Sequence, residues 1–354
     1  MKKPPLKSDD ISEYIVHAPV RINDIGGWTD TWFAGSGKVL NMAVDPGIEV
    51  LVRIGPNPGP SPERVTIHAA NYGTTFSMVP ESPDYDHFPL LQGAIHLLPP
   101  PAEFRMDIYI KSEVPAGSAT GTSASVCVAL LSALGTVSGD TLSPDKTAAL
   151  AHKVETELLG CQSGIQDQIS AARGGICFID IERYPIARTE NLKPSADFLA
   201  RLESRICLVF LGRAHSSSSV HEEVIADLES SRSARYRILE HLKELAQKGR
   251  QAVLSEDLEM LGRIMAENTE YQGKLHKQLI SPDARTVIAI ARKFGCSGWK
   301  VNGAGGEGGS ITLLASEESA QKMHMLKAIA SLGSGIRTIP VTLNQTGLKL
   351  IKQA

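Results

Sequence analysis

The sequence predicts an α+β protein with two domains. Its first third alternates short apolar strands with turns, and helical patterns follow. From residue 205 onward the order is strand, helix, helix, strand, helix, strand, which is typical of an α+β domain. The 354 residues are enough for two domains of ordinary size. A break in composition near Tyr184–Ser195 places the boundary, so we expect domains at 1–190 and 191–354.

The first domain is expected to open with strands. Pro46 and Gly47 separate two of them, and Asn71-Tyr72-Gly73 forms the turn of a hairpin. A strand with alternating Met106, Ile108 and Ile110 precedes the helices. The predicted strands are Ile15–Ile22, Val39–Val44, Ile48–Ile54, Val65–Ala69, Thr74–Val79 and Ile176–Ile181, and the predicted helices are Val126–Gly135 and Pro144–Leu159.

The second domain is expected to begin with a strand. Two long helical patterns follow, and Ser281-Pro282-Asp283 starts a third helix with Ser as cap and Pro in the first turn. The predicted strands are Arg205–Leu211, Ser310–Leu314 and Ile336–Leu343, and the predicted helices are His221–Lys248, Glu256–Gln278, one from Ser281 and Glu318–Leu332.

Composition excludes several classes of protein. Apolar residues make up 42% of the chain and charged residues 21%, as in a globular protein with a packed core. The net charge of −3, without a dense basic tract, argues against nucleic-acid binding. No apolar run is long enough for a membrane helix, and five dispersed cysteines indicate a reducing compartment. We therefore expect a cytoplasmic protein, monomeric or homodimeric, without nucleic-acid or membrane partners.

The most informative segment is the small-residue loop Pro115–Ser125, which joins a strand to an apolar helix. A helix N-terminus presents free backbone N–H groups and favours an anion. Glycines let the backbone approach phosphate oxygens, and Thr122 and Ser123 add hydroxyl groups. The loop lacks the Gly-Lys-Ser/Thr of a Walker loop and the glycine spacing of a Rossmann loop.

Three other segments combine glycines with charged residues. In Ala18–Thr31 a strand carries Arg21, and a glycine turn ends in Asp30. The segment is either a plain strand and turn in which Arg21 pairs with a surface acid, or a site in which Asp30 accepts hydrogen bonds from sugar-like hydroxyls with the apolar face of Trp28 nearby. Asp167 follows a glycine turn at the buried start of a helix, where an acid is either a cap or a working group.

The third segment, Lys300–Ser310, holds five glycines in seven residues before an apolar strand. A plain turn rarely needs so many positions without a Cβ atom, so we expect close approach to a ligand or to another backbone.

In order and spacing, these segments resemble the GHMP kinase superfamily, which includes galactokinase, homoserine kinase and mevalonate kinase. The resemblance runs from Ala18 to about Leu314. Gly26–Thr31 and Gly37–Asn41 look like the fucokinase branch, and Gly164–Gln168 is similar to its heptose-phosphate kinases. The resemblance implies a two-domain fold: a mixed α/β nucleotide-binding domain, a ferredoxin-like α+β domain, and an active site in the cleft between them.

The resemblance also implies roles for individual residues. Asp167 matches the catalytic aspartate, and Arg21 matches the arginine that stabilises the transferring phosphoryl group. Asp30 matches the acid that binds sugar hydroxyls, and Glu155 and Ser123 match magnesium ligands. The implied substrate-binding residues are Asp30, Trp28, Gly27, Thr29 and Gly164, and the implied nucleotide-binding residues are Pro115, Gly117, Ser118, Ala119, Thr120, Gly121, Thr122, Ser123, Gly303 and Gly305.

The implied activity is phosphoryl transfer from ATP, with Mg²⁺, to a sugar hydroxyl. We expect the anomeric hydroxyl of L-fucose, a heptose, a heptose 7-phosphate or a related sugar. Two alternatives stay open at this point: a catalytically silent sugar or nucleotide sensor on the same fold, and a GHMP kinase whose substrate is not a sugar. One departure from the family pattern is Ala119-Thr120, where Gly-Leu is usual.

Overall fold

Two β-sheets organise the chain, and the long strand β2 is the centre of the first. A computed structural model describes residues 12–57, 59, 62–69, 71, 73–214, 224–226 and 232–353. The strands are β1 Ser12–Ile25, β2 Gly37–Pro56, β3 Val65–Ala69, β4 Thr74–Met78, β5 Phe104–Ser112, β6 Ile176–Arg183, β7 Ile186–Leu192, β8 Ile206–Leu211, β9 Gly298–Val301, β10 Ser310–Leu314, β11 Ile336–Ile339, β12 Thr342–Leu343 and β13 Lys349–Gln353.

The α-helices of the described residues pack against these two sheets. They are α1 Pro89–Leu97, α2 Thr122–Val137, α3 Pro144–Lys153, α4 Gln166–Arg173, α5 Ala196–Arg205, α6 Arg232–Leu254, α7 Leu258–Leu275, α8 Pro282–Lys293 and α9 Ser319–Ala330. A single π-helical turn, Val154–Leu158, continues α3. No helix of the described residues is long and apolar enough to cross a bilayer.

The first sheet has the order β13-β1-β2-β5-β3-β4; in addition, β12 and β6 pair with β2, and β7 pairs with β6. β3 and β5 run parallel, and the other neighbours in this sheet are antiparallel. The second sheet, β11-β8-β10-β9, is antiparallel. Together with the helices, these sheets confirm the predicted α+β class.

The described residues form three hydrophobic cores, and strands β1 and β8 each contribute to two of them. Tyr14, Val16 and Ala18 of β1 belong to a core between the first sheet and α1–α4, whereas Val20 and Ile22 join a second core under α6 and α7. The ladder between β1 and β2 shifts register between Ala18 and Val20, where the chain changes core. Alternating residues of β8 face the second core and a third core under α8 and α9.

Several elements differ from the sequence-based prediction. The two strands predicted around Pro46-Gly47 form the single strand β2, which is irregular at the register shift opposite Pro19. The strand predicted at Ile336–Leu343 is two short strands in different sheets, because Pro340 supplies no N–H group to continue a ladder. Helices α1 and α5 and strands β7, β9 and β13 were not predicted.

The sheets do not divide cleanly at residue 190. That position lies inside β7, which pairs with β6, and β12 and β13 return to the first sheet although they follow residue 191. The assignment of residues 1–190 and 191–354 to two domains stays a prediction. Part of the predicted helix His221–Lys248 and of the predicted turn Asn71-Tyr72-Gly73 lies outside the described residues.

The segment between β12 and β13 supports the back of α4, the helix that carries Asp167. Leu348 N donates to Ala172 O, and Gly175 N donates to Asn344 O. Gly347 has φ 69°, and a Cβ atom there would lie 2.5 Å from the carbonyl oxygen of Ala172. The position of α4 therefore depends on backbone contact with a segment near the end of the chain.

We expect Gly347→Ala to destabilise the protein more than a matched glycine change. Gly333 has a similar φ of 67°, but a Cβ atom there meets nothing within 4 Å. Gly333→Ala should cost about 1 kcal/mol of unfolding free energy from the left-handed backbone alone. Gly347→Ala should cost roughly 2 kcal/mol more from overpacking. Thermal unfolding measures both, and equal losses would show that the contact with α4 is unimportant.

Candidate active site

A cavity of about 760 Å³ lies where the two halves of the chain meet. One wall is formed by β1 and the turn after it, and another by the loop before α2. The residues before and at the start of α4 form a third wall, and Gly303 and Ala304 from the second half complete the lining. The segments singled out in the sequence therefore converge on one space.

Arg21 and Asp167 form the central pair of this cavity. Arg21 Nε donates to Asp167 Oδ1 at 2.7 Å, and Arg21 Nη2 donates to Oδ2 at 3.2 Å. Arg21 is 5% exposed, whereas the Asp167 side chain is 27% exposed. Burial opposes the charge of Arg21, but Asp167 and Asp24 together hold its pKa above the ordinary value. The guanidinium thus stays charged and fixes both oxygens of Asp167.

The loop before α2 adopts a left-handed backbone at alternate positions. The φ angles are 70° at Gly117, 57° at Ala119 and 72° at Gly121. The carbonyl oxygen of Ala119 accepts from Arg21 Nη1 at 2.5 Å, and the Ser118 hydroxyl lies 2.7 Å from that of Thr120. A left-handed conformation costs an L-residue roughly 1 kcal/mol. Ala119 therefore adopts a left-handed backbone conformation that glycine would adopt at a lower cost in free energy.

The N-terminus of α2 faces the cavity without a side-chain cap. Gly121 is the N-cap residue, and the first turn contains no acidic residue. Thr122, Ser123 and Ala124 line the cavity there. Free amides and the helix dipole make this end of the cavity an anion site.

Asp30 holds the start of α4 from the opposite wall. Its Oδ2 accepts from the backbone N–H of Gln166 at 3.2 Å, and its Oδ1 accepts from Gln166 Nε2 at 3.3 Å. A Cβ atom on Gly164 would overlap the Asp30 carboxylate, so only glycine fits there. Burial raises the pKa of Asp30 to about 6, and the charge of Asp167 adds to the shift.

A second buried ion pair lies behind Arg21. Lys300 and Asp24 are each 1% exposed, and Lys300 Nζ lies 3.4 Å from Asp24 Oδ1. The ammonium also donates to Gln272 Oε1 at 2.9 Å, while burial lowers the pKa of Lys300. The backbone N–H of Gly303 donates to the same Asp24 oxygen at 3.1 Å. The pair thus connects the glycine-rich bend to the strand that carries Arg21.

Glu155 lies on the π-helical turn after α3 and lines the cavity. Its oxygens accept from Ser163 Oγ at 2.5 Å and from Gln168 Nε2 at 2.9 Å. Burial raises the pKa of Glu155 to about 7. The described residues contain no group of three or more His, Cys, Asp or Glu side chains that could enclose a metal ion. A carboxylate and the Ser123 hydroxyl fit Mg²⁺, which usually takes one or two protein ligands beside phosphate and water.

The structure separates the predicted site residues into two groups. Arg21, Asp30, Asp167 and Glu155 line the cavity, together with Trp28, Gly164, Gly303 and every residue from Gly117 to Ser123. Gly27, Thr29, Pro115 and Gly305 do not line it. Thr29 is fully buried, where its hydroxyl donates to Gly26 O and accepts from Lys38 N. A Cβ atom on Gly305 would collide with Leu279 O. These positions support the walls of the cavity.

Sequence reasoning missed four polar residues around the cavity: Asp24, Gln166, Lys300 and Ser310. Ser310 Oγ donates to the carbonyl oxygen of Ser118 at 2.6 Å and so supports the loop before α2. All four lie inside or next to the glycine-rich segments already singled out. A charged residue in an otherwise apolar strand, such as Lys300, was the available signal.

Comparison with known proteins agrees with this arrangement. Residues 90–175 match the family model for the GHMP kinases N terminal domain, and residues 250–324 match the model for the GHMP kinases C terminal domain. The first match includes the loop before α2, Glu155 and Asp167, and the second includes Lys300 and the glycine-rich bend.

Two relatives and one solved structure illustrate the range of similarity. The chain is 27% identical over 323 residues to a bifunctional fucokinase/GDP-fucose pyrophosphorylase of Arabidopsis thaliana, a match that covers 87% of this chain and only 30% of that protein. It is 29% identical over 265 residues to a mevalonate kinase of Thermococcus sibiricus, covering 73% of each. A D-glycero-D-manno-heptose 1-phosphate kinase from Bacteriodes thetaiotaomicron has the same fold, with a TM-score of 0.72 at 22% identity over 96% of this chain and 99% of that one.

The raised pKa of Asp30 predicts a pH-dependent cost to stability. Its pKa rises from 3.8 to about 6 on folding, so the native state binds the proton more tightly than the unfolded state. The cost appears as the pH rises through that interval and is complete above it. Relative to wild type, Asp30→Asn should raise the free energy of unfolding by up to about 3 kcal/mol at pH 8 and by little at pH 4.

Thermal unfolding of both proteins at pH 4 and pH 8 measures the difference. Glu155 contributes equally to wild type and variant, so its own shift cancels in the comparison. Asp197→Asn removes an 80% exposed carboxylate and serves as the matched control. If the gap between Asp30→Asn and wild type is the same at both pH values, burial of Asp30 carries no such cost.

Proposed function

The chain belongs to the GHMP kinase family, because it carries both of the family's domains, and we propose that it transfers the terminal phosphoryl group of ATP to a hydroxyl group of a sugar. The observation that carries this proposal is the bidentate Arg21–Asp167 pair beside an uncapped helix N-terminus. Phosphoryl transfer needs positioning and charge neutralisation more than covalent chemistry, and this pair offers both.

Asp167 is suited to receive the proton of the acceptor hydroxyl. Arg21 fixes its two oxygens, and the side chain reaches the cavity beside Gly121. A carboxylate held within hydrogen-bond reach orients the hydroxyl and accepts its proton as the oxygen attacks. The arrangement gives the nucleophile a fixed direction toward the N-terminus of α2.

Arg21 is suited to meet the charge of the transferring group. A guanidinium has five N–H donors, and the contacts to Asp167 and to the carbonyl oxygen of Ala119 use three. The other two are available to phosphoryl oxygens. Because Arg21 is already fixed by these contacts, it needs little reorganisation during the reaction.

The uncapped amides of α2 and its preceding loop would bind the phosphates of ATP. Glu155 and Ser123 would hold Mg²⁺, which neutralises phosphate charge when bound. Asp30, whose carboxylate lies near the start of α4, would accept hydrogen bonds from sugar hydroxyls. These roles extend the family resemblance to residues that line one cavity.

The finer proposal is that the acceptor is the anomeric hydroxyl of L-fucose, a heptose, a heptose 7-phosphate or a related sugar. It is supported by Gly26–Thr31 and by the Arabidopsis relative, whose name includes fucokinase. A mevalonate kinase activity is the second candidate, because a relative of that name matches 73% of the chain. A silent sensor would bind the same ligands without turnover. The cytoplasmic location and the monomeric or homodimeric state stay predictions.

A coupled assay for ADP release tests the proposed function. The purified chain is incubated with ATP, Mg²⁺ and one acceptor at a time: L-fucose, D-galactose, a heptose, a heptose 7-phosphate or mevalonate. We expect ADP release with at least one sugar, and ³¹P NMR of the product locates the new phosphate. ADP release with mevalonate alone would establish the second candidate, and nucleotide binding without any turnover would establish the sensor.

We expect Asp167→Asn to retain nucleotide binding but to lose turnover by roughly a hundredfold or more. The amide cannot accept the hydroxyl proton as a carboxylate does. Asp145→Asn is the matched control, because Asp145 also pairs with an arginine but is 67% exposed and outside the cavity.

Three measurements separate the possible causes of a loss: ADP release, calorimetric titration with a non-hydrolysable ATP analogue, and the melting temperature. A folded Asp167→Asn protein with near-wild-type turnover would contradict the proton-acceptor role.

A further inference from the structure

We propose that the acceptor is an uncharged polyol and that acceptors already carrying a phosphate or carboxylate are rejected. This inference rests on the proposed kinase function and narrows its substrate class. It follows from the pairing of the charged side chains around the cavity and from the uncharged side chains that line the rest of its wall.

Two of the four carboxylates lining the cavity already have a cationic partner. Asp167 is paired with Arg21 at 2.7 Å, and Asp24 is paired with Lys300 at 3.4 Å. Lys300 is 1% exposed and does not line the cavity. Arg21 and Lys300 are therefore each neutralised by a carboxylate, and neither adds an unpaired positive charge at the acceptor end.

The other two carboxylates, Asp30 and Glu155, are held by neutral donors. Asp30 accepts from the backbone and side chain of Gln166, and Glu155 accepts from Ser163 and Gln168. Burial and the charge of Asp167 raise the pKa of Asp30 to about 6. Mg²⁺ would compensate Glu155, which leaves Asp30 as an uncompensated negative charge facing the acceptor.

An anionic acceptor group would find little to balance it. Among the described residues that line the cavity, Arg21 is the only Lys, Arg or His side chain. Its remaining donors, like the amides of α2, serve the phosphates of ATP. A second phosphate or carboxylate in the same cavity would be repelled by Asp30, and the described lining residues offer no second cation to offset this repulsion.

The acceptor end of the wall instead suits hydroxyl groups. Thr31, Gln162 and Ser163 supply uncharged polar side chains, and Trp28 supplies aromatic surface. Polar groups that accept or donate single hydrogen bonds beside an aromatic face are a common way to bind a sugar ring. Charge and surface chemistry therefore favour the same class of acceptor.

Matched pairs of acceptors test the inference. A heptose is compared with its own 7-phosphate, and L-fucose and D-galactose are compared with (R)-mevalonate, at one fixed concentration of ATP and Mg²⁺. We expect kcat/KM to be at least a hundredfold higher for the uncharged member. A phosphorylated or carboxylated acceptor that is used equally well or better overturns the inference but leaves a kinase. No ADP release with any acceptor overturns the proposed function itself.

A positive charge introduced by mutation into the cavity wall gives an independent test. Gln162 is exposed, lines the cavity and lies two residues before Gly164, which faces Asp30. Gln162→Lys should raise the ratio of kcat/KM for the heptose 7-phosphate to that for the heptose by tenfold or more. Gln162→Met, of similar length and without charge, should leave this ratio unchanged. An equal change in both variants, or no change in Gln162→Lys, counts against the inference.

Discussion

The pair of the buried Arg21 and the partly exposed Asp167 is the interaction on which the rest of the site depends. It joins β1 to the first turn of α4, and the same guanidinium holds the carbonyl oxygen of Ala119 in the loop between them. Removing Asp167 would leave the buried Arg21 guanidinium without its nearest carboxylate, and in a fully buried pair such a loss costs about 3–5 kcal/mol. The neighbouring backbone has adapted to this pair. A Cβ atom on Gly121 would lie 3.0 Å from an Asp167 oxygen, and one on Gly303 would lie 3.3 Å from Arg21 Nη2.

Polar contacts from the second half of the chain hold the first half in register, and four of them lie next to the site. Asn302 Oδ1 accepts from Asn23 N, Asn268 Oδ1 accepts from Gly26 N, Lys300 pairs with Asp24, and Ser310 donates to Ser118 O. The glycines between Lys300 and Ser310 all have positive φ, which lets the bend pass directly beneath the loop before α2. A displacement of the second sheet would therefore move both Arg21 and the phosphate end of the cavity.

Sequence reasoning predicted the parts of this structure that local signals determine. Ser281-Pro282 predicted the start of α8, and the alternation of apolar residues predicted β5. The glycine-containing segments contain most of the residues that line the cavity. It did not predict the elements and contacts that tertiary packing determines. Strand β7 alternates exposed and half-buried residues against β6, without the apolar pattern of a core strand. The pairing of Lys300 with Asp24 joins residues far apart in the chain, and no local signal specifies it. The roles of Thr29 and Gly305 were assigned by resemblance, whereas the structure places both behind the cavity wall.

The pairing of β1 with β13 has a consequence for biosynthesis. β1 lies between β2 and β13, and Tyr14 is opposite Gln353. On the ribosome, the outer edge of β1 therefore keeps unpaired N–H and C=O groups until residues 349–353 emerge. An open strand edge can recruit other nascent chains, and the long sequence separation makes the closing step slow. The strand that carries the arginine of the site is thus synthesised early and completed in its sheet late.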